Sequence, residues 1–191
     1  CDIGDIGMCK SVYKIPLPTG KAWVLKSDCT AYVAVYKHIL EILGHPVIDH
    51  HVFQAERATF LLMEDKGPLT VNQAVLSQKI NSSLAFKMGR QAAVGDIFSR
   101  GDRHLENYLL QDNEIYSIDI TYLFYPNNVF WTARYQAAGA YEMSCCFDVN
   151  AQRFNLKLLD CFWEGYFYEA RHILKHYNHL SKCSEEVNAC L

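Results

Sequence analysis

The pattern of hydrophobic and polar positions near the start of the chain predicts a hairpin followed by a helix. Residues 12–15 and 21–26 are short β-prone runs, and the prolines and glycine of residues 16–20 favour a turn between them. From residue 30 to residue 43, apolar side chains recur at intervals of three and four, which is typical of a helix with one buried face. The residues on this predicted face are Val33, Tyr36, Ile39, Leu40 and Leu43. Gly44 and Pro46 then predict the end of the helix.

A compact apolar run at residues 58–63 predicts a buried strand, and the polar segment 64–68 predicts an exposed connection after it. The part of the chain up to about residue 66 is therefore expected to be rich in β structure.

Longer helices are predicted in the rest of the chain. Residues 83–98 form the pattern of a buried helix, and the polar residues 99–104 lead into two short strands at 108–110 and 115–118, joined by Asp112 and Asn113. Residues 154–180 predict a long amphipathic helix. Its apolar stripe comprises Leu158, Phe162, Tyr166, Ala170, Ile173, Tyr177 and Leu180. The order of elements predicts an α+β fold.

Composition narrows the class of protein. The chain has 191 residues, enough for one domain or one domain built as two small lobes. Half of its residues are hydrophobic, which excludes a disordered protein. The 18 Lys and Arg residues are scattered and the formal net charge is −3, which disfavours a nucleic-acid partner. The eight cysteines are irregularly spaced and are expected to be mostly reduced. With neither a membrane span nor a signal peptide visible, we expect a soluble protein of the cytoplasm, or an effector secreted into a host cytosol.

The residues most suited to chemistry lie in and after the polar loop. Asp102 and Asn107 are five residues apart, and Asp119 follows the predicted hairpin. An Asn and an Asp brought together by a hairpin offer the oxygen ligands that Mg²⁺ prefers. An Asp that lies earlier in the same loop can take the proton of an acceptor hydroxyl, so the spacing is that of a phosphoryl-transfer site.

The segment Gly101-Asp102-Arg103-His104-x-x-Asn107, a short hairpin and then Ile118-Asp119 resembles the catalytic core of phosphatidylinositol 3- and 4-kinases and their atypical protein-kinase relatives. Residues 89–98 are similar to the helix that precedes this loop in the actin-fragmin kinase and HipA-like branches, and the resemblance covers residues 89–126. It implies a minimal two-lobed protein-kinase-like fold over residues 1–191, with a β-rich N-terminal lobe (1–66) and a helical C-terminal lobe (67–191).

The resemblance also implies roles for individual residues. Asp102 would be the catalytic base, and Asn107 and Asp119 would be the ligands of Mg²⁺. His104 would contact either the transition state or the residues that bind the metal. Lys26 would bind the phosphates of ATP.

Four other positions complete the nucleotide site that the resemblance implies. Gly4 and Gly7, in the segment that ends at Ser11, would bring backbone amides to the phosphates. Met63 and Glu64 would stand where a strand enters the hinge that binds adenine. Met63 is equally well explained as a core residue.

The chain departs from the family pattern at two places. Tyr32 stands where the family has a helix carboxylate that holds the lysine, and Glu41 or Asp28 could replace it only with unusual geometry. Between Asp119 and Phe154 the chain has two arginines, no lysine and many aromatic residues. This composition is better suited to contact with a protein than to binding of an inositol phosphate. Arg100 or Lys157 could add positive charge from elsewhere.

The expected activity is therefore Mg²⁺-ATP-dependent transfer of phosphate to a hydroxyl, most simply on a protein. A phosphoinositide kinase is the enzymatic alternative, and a pseudokinase that only binds a partner is supported by the missing carboxylate. A separate alternative is zinc binding by His172, His176, His179 and Cys183, which fall at helical spacing. The polar flank of an amphipathic helix explains the same spacing without a metal.

Overall fold

The computed structural model describes residues 12–19, 21–27, 32–55, 58–98, 100, 104–120, 156–177 and 180. The N-terminal part contains β1 (Val12–Pro16), β2 (Ala22–Ser27), α1 (Tyr32–Ile42), β3 (His50–Ala55) and β4 (Ala58–Glu64). The remainder contains α2 (Val71–Leu76), α3 (Ser82–Ile97), a 3₁₀ turn (Leu105–Asn107), β5 (Tyr108–Gln111), β6 (Glu114–Ser117) and α4 (Leu156–Lys175). The α+β class predicted from the sequence is confirmed.

The first sheet is antiparallel, with strand order β1-β2-β4-β3. The predicted hairpin is confirmed, since Val12 pairs with Lys26 and Pro16 with Ala22. β3 was not predicted from the sequence. It is an edge strand that is mostly exposed, so its residues show neither a hydrophobic run nor a clear alternation.

Helix α1 has the buried face that its periodicity predicts. All five residues of that face are buried, and Gly44 ends the helical region with a φ of +68°, which glycine adopts without strain. Tyr36, Ile39, Leu40 and Leu43 form one core with residues of α3 and α4, including Val94 and Ile173. This core joins α1 to the helical part of the protein.

Helices α3 and α4 pack closely because glycines lie at their crossing. A Cβ atom on Gly89 would lie 1.9 Å from the carbonyl oxygen of Phe162, and one on Gly165 would lie 2.0 Å from that of Phe86. The buried positions of α4 are Phe162, Gly165, Glu169 and Ile173. The predicted stripe was therefore wrong at Tyr177, whose side chain is 64% exposed, and it missed Glu169.

The β5-β6 hairpin is closed by the predicted pair Asp112 and Asn113, which have φ values of 52° and 61°. Positive φ at both turn residues matches the right-handed twist of the strands, and Asn and Asp tolerate it. The hairpin is attached to α2 by the Leu110 N–H, which donates to the carbonyl of Leu69 over 2.8 Å. Helix α2, which the sequence did not predict, begins with a capping box between Thr70 and Gln73.

Candidate phosphoryl-transfer site

Lys26 lies near the end of β2, between two neighbouring strands. Its backbone pairs with Val12 of β1 and Leu61 of β4, so the position of the lysine is set by strands on both sides. It shares a face of β2 with the buried Val24, since alternate residues of a strand point the same way. Its side chain is 19% exposed.

The hairpin pairs the backbone of Asn107 with that of Ile118, the residue before Asp119. Tyr108 pairs with Ser117, and the ladder continues one step further because the Ile118 N–H donates to the carbonyl oxygen of Asn107 over 2.9 Å. Asp119 is the next residue after Ile118. Asp119 has a φ of +55°, a conformation uncommon for a residue other than glycine.

Lys26 and Asp119 meet although 93 residues separate them in sequence. The ammonium group of Lys26 donates a hydrogen bond to Oδ1 of Asp119, whose side chain is 37% exposed. The sequence-predicted phosphate-binding lysine and one sequence-predicted metal ligand are therefore in direct contact. The partner of Lys26, which the sequence left open among helix carboxylates, is this aspartate.

Glu41, one of the alternatives for that partner, is engaged locally. Its carboxylate lies 3.8 Å from the Lys37 ammonium and 3.9 Å from Nδ1 of His38. Asp28 and the side chain of Tyr32 lie outside the described residues.

The other predicted loop residues differ in exposure. Asn107 is buried and its N–H donates to the carbonyl of His104 over 2.9 Å, whereas the side chain of His104 is exposed. Asp102, Gly4, Gly7 and Ser11 lie outside the described residues.

Met63 and Glu64 lie at the end of β4. The Glu64 N–H donates to the carbonyl of Asp49, and the Asp65 N–H donates to that of Ala22, both over 2.9 Å. A purine at this segment would therefore have to use other backbone groups. The Glu64 carboxylate lies 2.6 Å from the Lys66 ammonium. Burial favours a lower pKa for Lys66, but Glu64 raises that pKa above its ordinary value.

A cavity of about 40 Å³ separates α1 and β4 from the segment that contains Asp119. It has room for one or two water molecules. Met63 lines this cavity and is also part of strand β4. The other lining residues are Val33, Lys37, Leu40, Val47, Ile48, His50, Leu61, Ser117, Ile118, Asp119 and Ile120.

Arg100 supports the candidate site through buried contacts that sequence reasoning missed. Its side chain is 2% exposed, and its guanidinium group donates to Ser117 Oγ over 3.0 Å and to the carbonyl of Ile118 over 2.7 Å. Of the two basic residues that the sequence left open as a source of positive charge for a head group, Arg100 is therefore held away from that role by its burial and its bonds. An arginine in a polar loop gives no sequence signal of burial, because arginines in loops are usually solvated.

Only two members of the candidate zinc cluster are described. The rings of His172 and His176 are 4.7 Å apart, and Nδ1 of His172 lies 3.5 Å from a Glu169 oxygen. His179 and Cys183 lie outside the described residues. Among the residues that are described, no group of three or more His, Cys, Asp or Glu side chains could hold a metal. Cys161, the cysteine within the described ranges, is a free thiol.

In the part of the chain that the structure covers, no helix combines the length and the apolar character needed to cross a membrane. Neither a scan against protein-family models nor a search of curated proteins finds a match for the chain.

Proposed function

We propose that this protein is a Mg²⁺-ATP-dependent phosphotransferase that phosphorylates a hydroxyl group on a protein. Lys26 would bind the phosphates, Asn107 and Asp119 would hold Mg²⁺, and Asp102 would act as the base. The observation that carries the proposal is the hydrogen bond between Lys26 and Asp119.

The exposure of the Lys26–Asp119 pair supports this assignment. The pair is partly open to solvent, with 37% of the Asp119 side chain and 19% of the Lys26 side chain exposed, so it contributes less to stability than a fully buried pair would. Each group suits one part of a metal-nucleotide complex, because the ammonium can bind a phosphate and the carboxylate can bind the cation. The pair neutralises both charges until such a complex arrives.

The residues at this place fit magnesium. Carboxylate and amide oxygens are hard donors, and Mg²⁺ is bound in proteins by one or two such groups together with substrate phosphates. The 37% exposure of Asp119 leaves its carboxylate accessible. When bound, the ion would neutralise charge on the phosphates.

The chemistry assigned to Asp102 follows from its place in the loop before Asn107. Its carboxylate would accept the proton of the acceptor hydroxyl as the oxygen of that hydroxyl forms a bond to the γ-phosphorus. The bond from that phosphorus to the bridging oxygen of ATP breaks, and ADP leaves. His104 would lie beside this event, since it follows Asp102 by two residues.

A two-lobed, protein-kinase-like arrangement with a boundary near residue 66 is part of the proposal. It is supported by the small sheet and α1 in the first part of the chain and by the closely packed α3–α4 pair in the second part. The Lys26–Asp119 bond and the core shared by α1, α3 and α4 join these two parts.

A protein acceptor is favoured over a phosphoinositide by the lack of basic residues available to a head group. Arg100 is buried and already donates to Ser117 and Ile118, so it does not supply that charge. Lys157 is exposed on α4. The aromatic side chains of residues 121–153 lie outside the described residues, and this segment supports the proposal only through its composition. The acceptor would be a protein of the cytoplasm or, for a secreted effector, of a host cytosol.

The test is phosphate transfer from γ-labelled ATP with Mg²⁺, offered in parallel to a cell lysate and to phosphoinositide vesicles. We expect label on protein, and a loss of about 10²–10⁴-fold in rate for Asp102→Ala with nucleotide affinity close to wild type. Efficient labelling of the vesicles without any label on protein would identify a phosphoinositide, and not a protein, as the acceptor. Binding of Mg²⁺-ATP without any transfer would favour the pseudokinase alternative, and transfer at the wild-type rate by Asp102→Ala would remove that residue from the mechanism.

A further inference from the structure

Both backbone groups of Ile118, the residue before Asp119, are held. Its N–H donates to the carbonyl of Asn107, and its C=O accepts from Nη2 of Arg100 over 2.7 Å. The Ile118 carbonyl belongs to the peptide unit that includes the nitrogen of Asp119. Because that peptide unit is planar, fixing the carbonyl also fixes the direction in which the chain enters Asp119.

Asp119 needs such support because of its conformation. A φ of +55° is uncommon for a residue with a Cβ atom, and although Asp adopts it more readily than most, contacts with the surroundings help to hold it. If the peptide unit between residues 118 and 119 rotated, the Asp119 carboxylate would leave Lys26.

Arg100 is itself rigidly placed. Its guanidinium carbon lies 5.4 Å from the ring centroid of Tyr36 and 4.8 Å from that of Tyr108, and both rings are fully buried. A guanidinium group in contact with aromatic rings keeps its hydrogen-bond donors free for other partners in the same plane. Two of these donors reach Ser117 and Ile118, so α1, β5 and the end of β6 are connected through one side chain.

Ser117 extends the support to helix α3. Its hydroxyl accepts from Arg100 and donates to Oε1 of Gln91 over 3.0 Å, and Gln91 is buried. The end of β6 is thereby fixed from two sides.

We propose that Arg100 is a positioning residue that orients the Asp119 carboxylate for Mg²⁺, and that Ser117 assists it. This inference rests on the proposed function, since it assigns Asp119 to the metal. Arg100 acts through the Ile118 peptide and does not touch the nucleotide. Lysine would serve less well there, because a single ammonium lacks the two parallel donors of the guanidinium fork.

The test measures the Mg²⁺ concentration that gives half of the thermal stabilisation by ATP, and separately the affinity for ATP in EDTA. Loss of a group that orients a metal ligand typically weakens metal binding about 10–100-fold, so we expect at least a tenfold rise of the Mg²⁺ midpoint in Arg100→Met. Arg100→Lys should recover part of the loss, and Ser117→Ala should give a smaller rise. Metal-free ATP affinity should stay within about twofold of wild type, because Lys26 remains in place.

Arg90→Met is the matched control. Arg90, like Arg100, contacts an aromatic ring, although it is only partly buried, and it donates to Glu169 and to the carbonyl of Leu43, away from residues 117–119. It should lower the melting temperature and leave the Mg²⁺ midpoint unchanged.

The outcomes separate the two proposals. If wild type shows no Mg²⁺-dependent stabilisation by ATP, the proposed function fails. If wild type shows it and folded Arg100→Lys and Ser117→Ala proteins have the wild-type midpoint, the role of Arg100 is overturned even when Arg100→Met does not fold. A shift of equal size in Arg90→Met would also overturn it, because the effect would then follow stability alone.

Discussion

Two carboxylates of this protein are each paired with a basic side chain from a distant part of the chain, and they differ in their access to solvent. Asp119 receives a hydrogen bond from Lys26, and both side chains are partly exposed. Glu169 is fully buried, with Arg90 Nε at 2.5 Å from one oxygen and His45 Nε2 at 3.2 Å from the other. The first pair lies between the sheet and the hairpin, and the second lies between α3, α4 and the segment after α1.

The difference indicates which pair can exchange partners. A buried carboxylate that loses its basic partner is left as an uncompensated charge, which is strongly destabilising. Glu169 is therefore expected to have a structural role. Its pKa shows this balance: burial favours a higher pKa, but His45 and Arg90 hold the pKa of Glu169 below its usual value. Asp119 is partly exposed, so under the proposed function it would exchange Lys26 for a cation at a smaller cost in stability than Glu169 would.

Removing the buried carboxylate should have the largest effect. We expect Glu169→Ala to lower the free energy of unfolding by about 3–5 kcal/mol, because Arg90 and His45 lose their common partner. Chemical denaturation would measure the loss. Glu164→Ala, a change at an exposed position of the same helix, should alter stability by less than about 0.5 kcal/mol. If Glu169→Ala is too unstable to purify, Glu169→Gln should fold with an intermediate loss; wild-type stability in Glu169→Gln would contradict the structural role.

Removing the partly exposed carboxylate of Asp119 should abolish the Mg²⁺-dependent part of ATP binding with little loss of stability. At an ATP concentration of 100 times Kd, wild type should gain about 2.7 kcal/mol from Mg²⁺-ATP, and Asp119→Ala should gain no more from Mg²⁺-ATP than from ATP in EDTA. Without ligand, the variant should lie within about 1 kcal/mol of wild type. Asp119→Asn controls for the backbone, because asparagine tolerates positive φ. Undiminished stabilisation by Mg²⁺-ATP in both variants would exclude Asp119 as a ligand.

Replacing the lysine should weaken nucleotide binding without removing the metal ligand. We expect Lys26→Met to lower the affinity for ATP about tenfold, equivalent to about 1.4 kcal/mol. Titration calorimetry with ATP in EDTA would isolate the phosphate contact from the metal. Lys21→Met, at an exposed position just before the same strand, should bind as wild type. Equal losses in the two variants would point to general charge and not to a specific contact.

The smallest effect should appear in the pH dependence. The pKa of Glu169 is lower in the folded than in the unfolded protein, so its contribution is fully present above the unfolded pKa and is lost as the pH falls through the folded pKa. Between pH 7 and pH 3, the unfolding free energy of Glu169→Gln should therefore decline less than that of wild type. Denaturation midpoints of both proteins at several pH values would show this. If the two proteins lose stability equally as the pH falls, Glu169 is not responsible for the acid sensitivity of wild type.

Much of the fold follows from periodicity. The apolar face of α1 was predicted residue by residue, and so were the first hairpin and the turn at Asp112 and Asn113. These features depend on contacts near in sequence or on one dominant face. The edge strand β3 and the short helix α2 were not predicted, because neither has a long buried face to leave a pattern.

The residue types at the candidate site were determined by the sequence alone: a strand lysine, a loop aspartate and asparagine, and an aspartate after a hairpin. Only the tertiary structure decided that Lys26 pairs with Asp119, and that Arg100 is buried with donors on Ser117 and Ile118. It also decided that Glu169, which the predicted apolar stripe does not include, is buried against Arg90 and His45. The spacing of residues along the chain determines contacts between residues that are near in sequence. The partner of a charged side chain depends instead on which distant elements pack beside it. That packing is decided by hydrophobic burial.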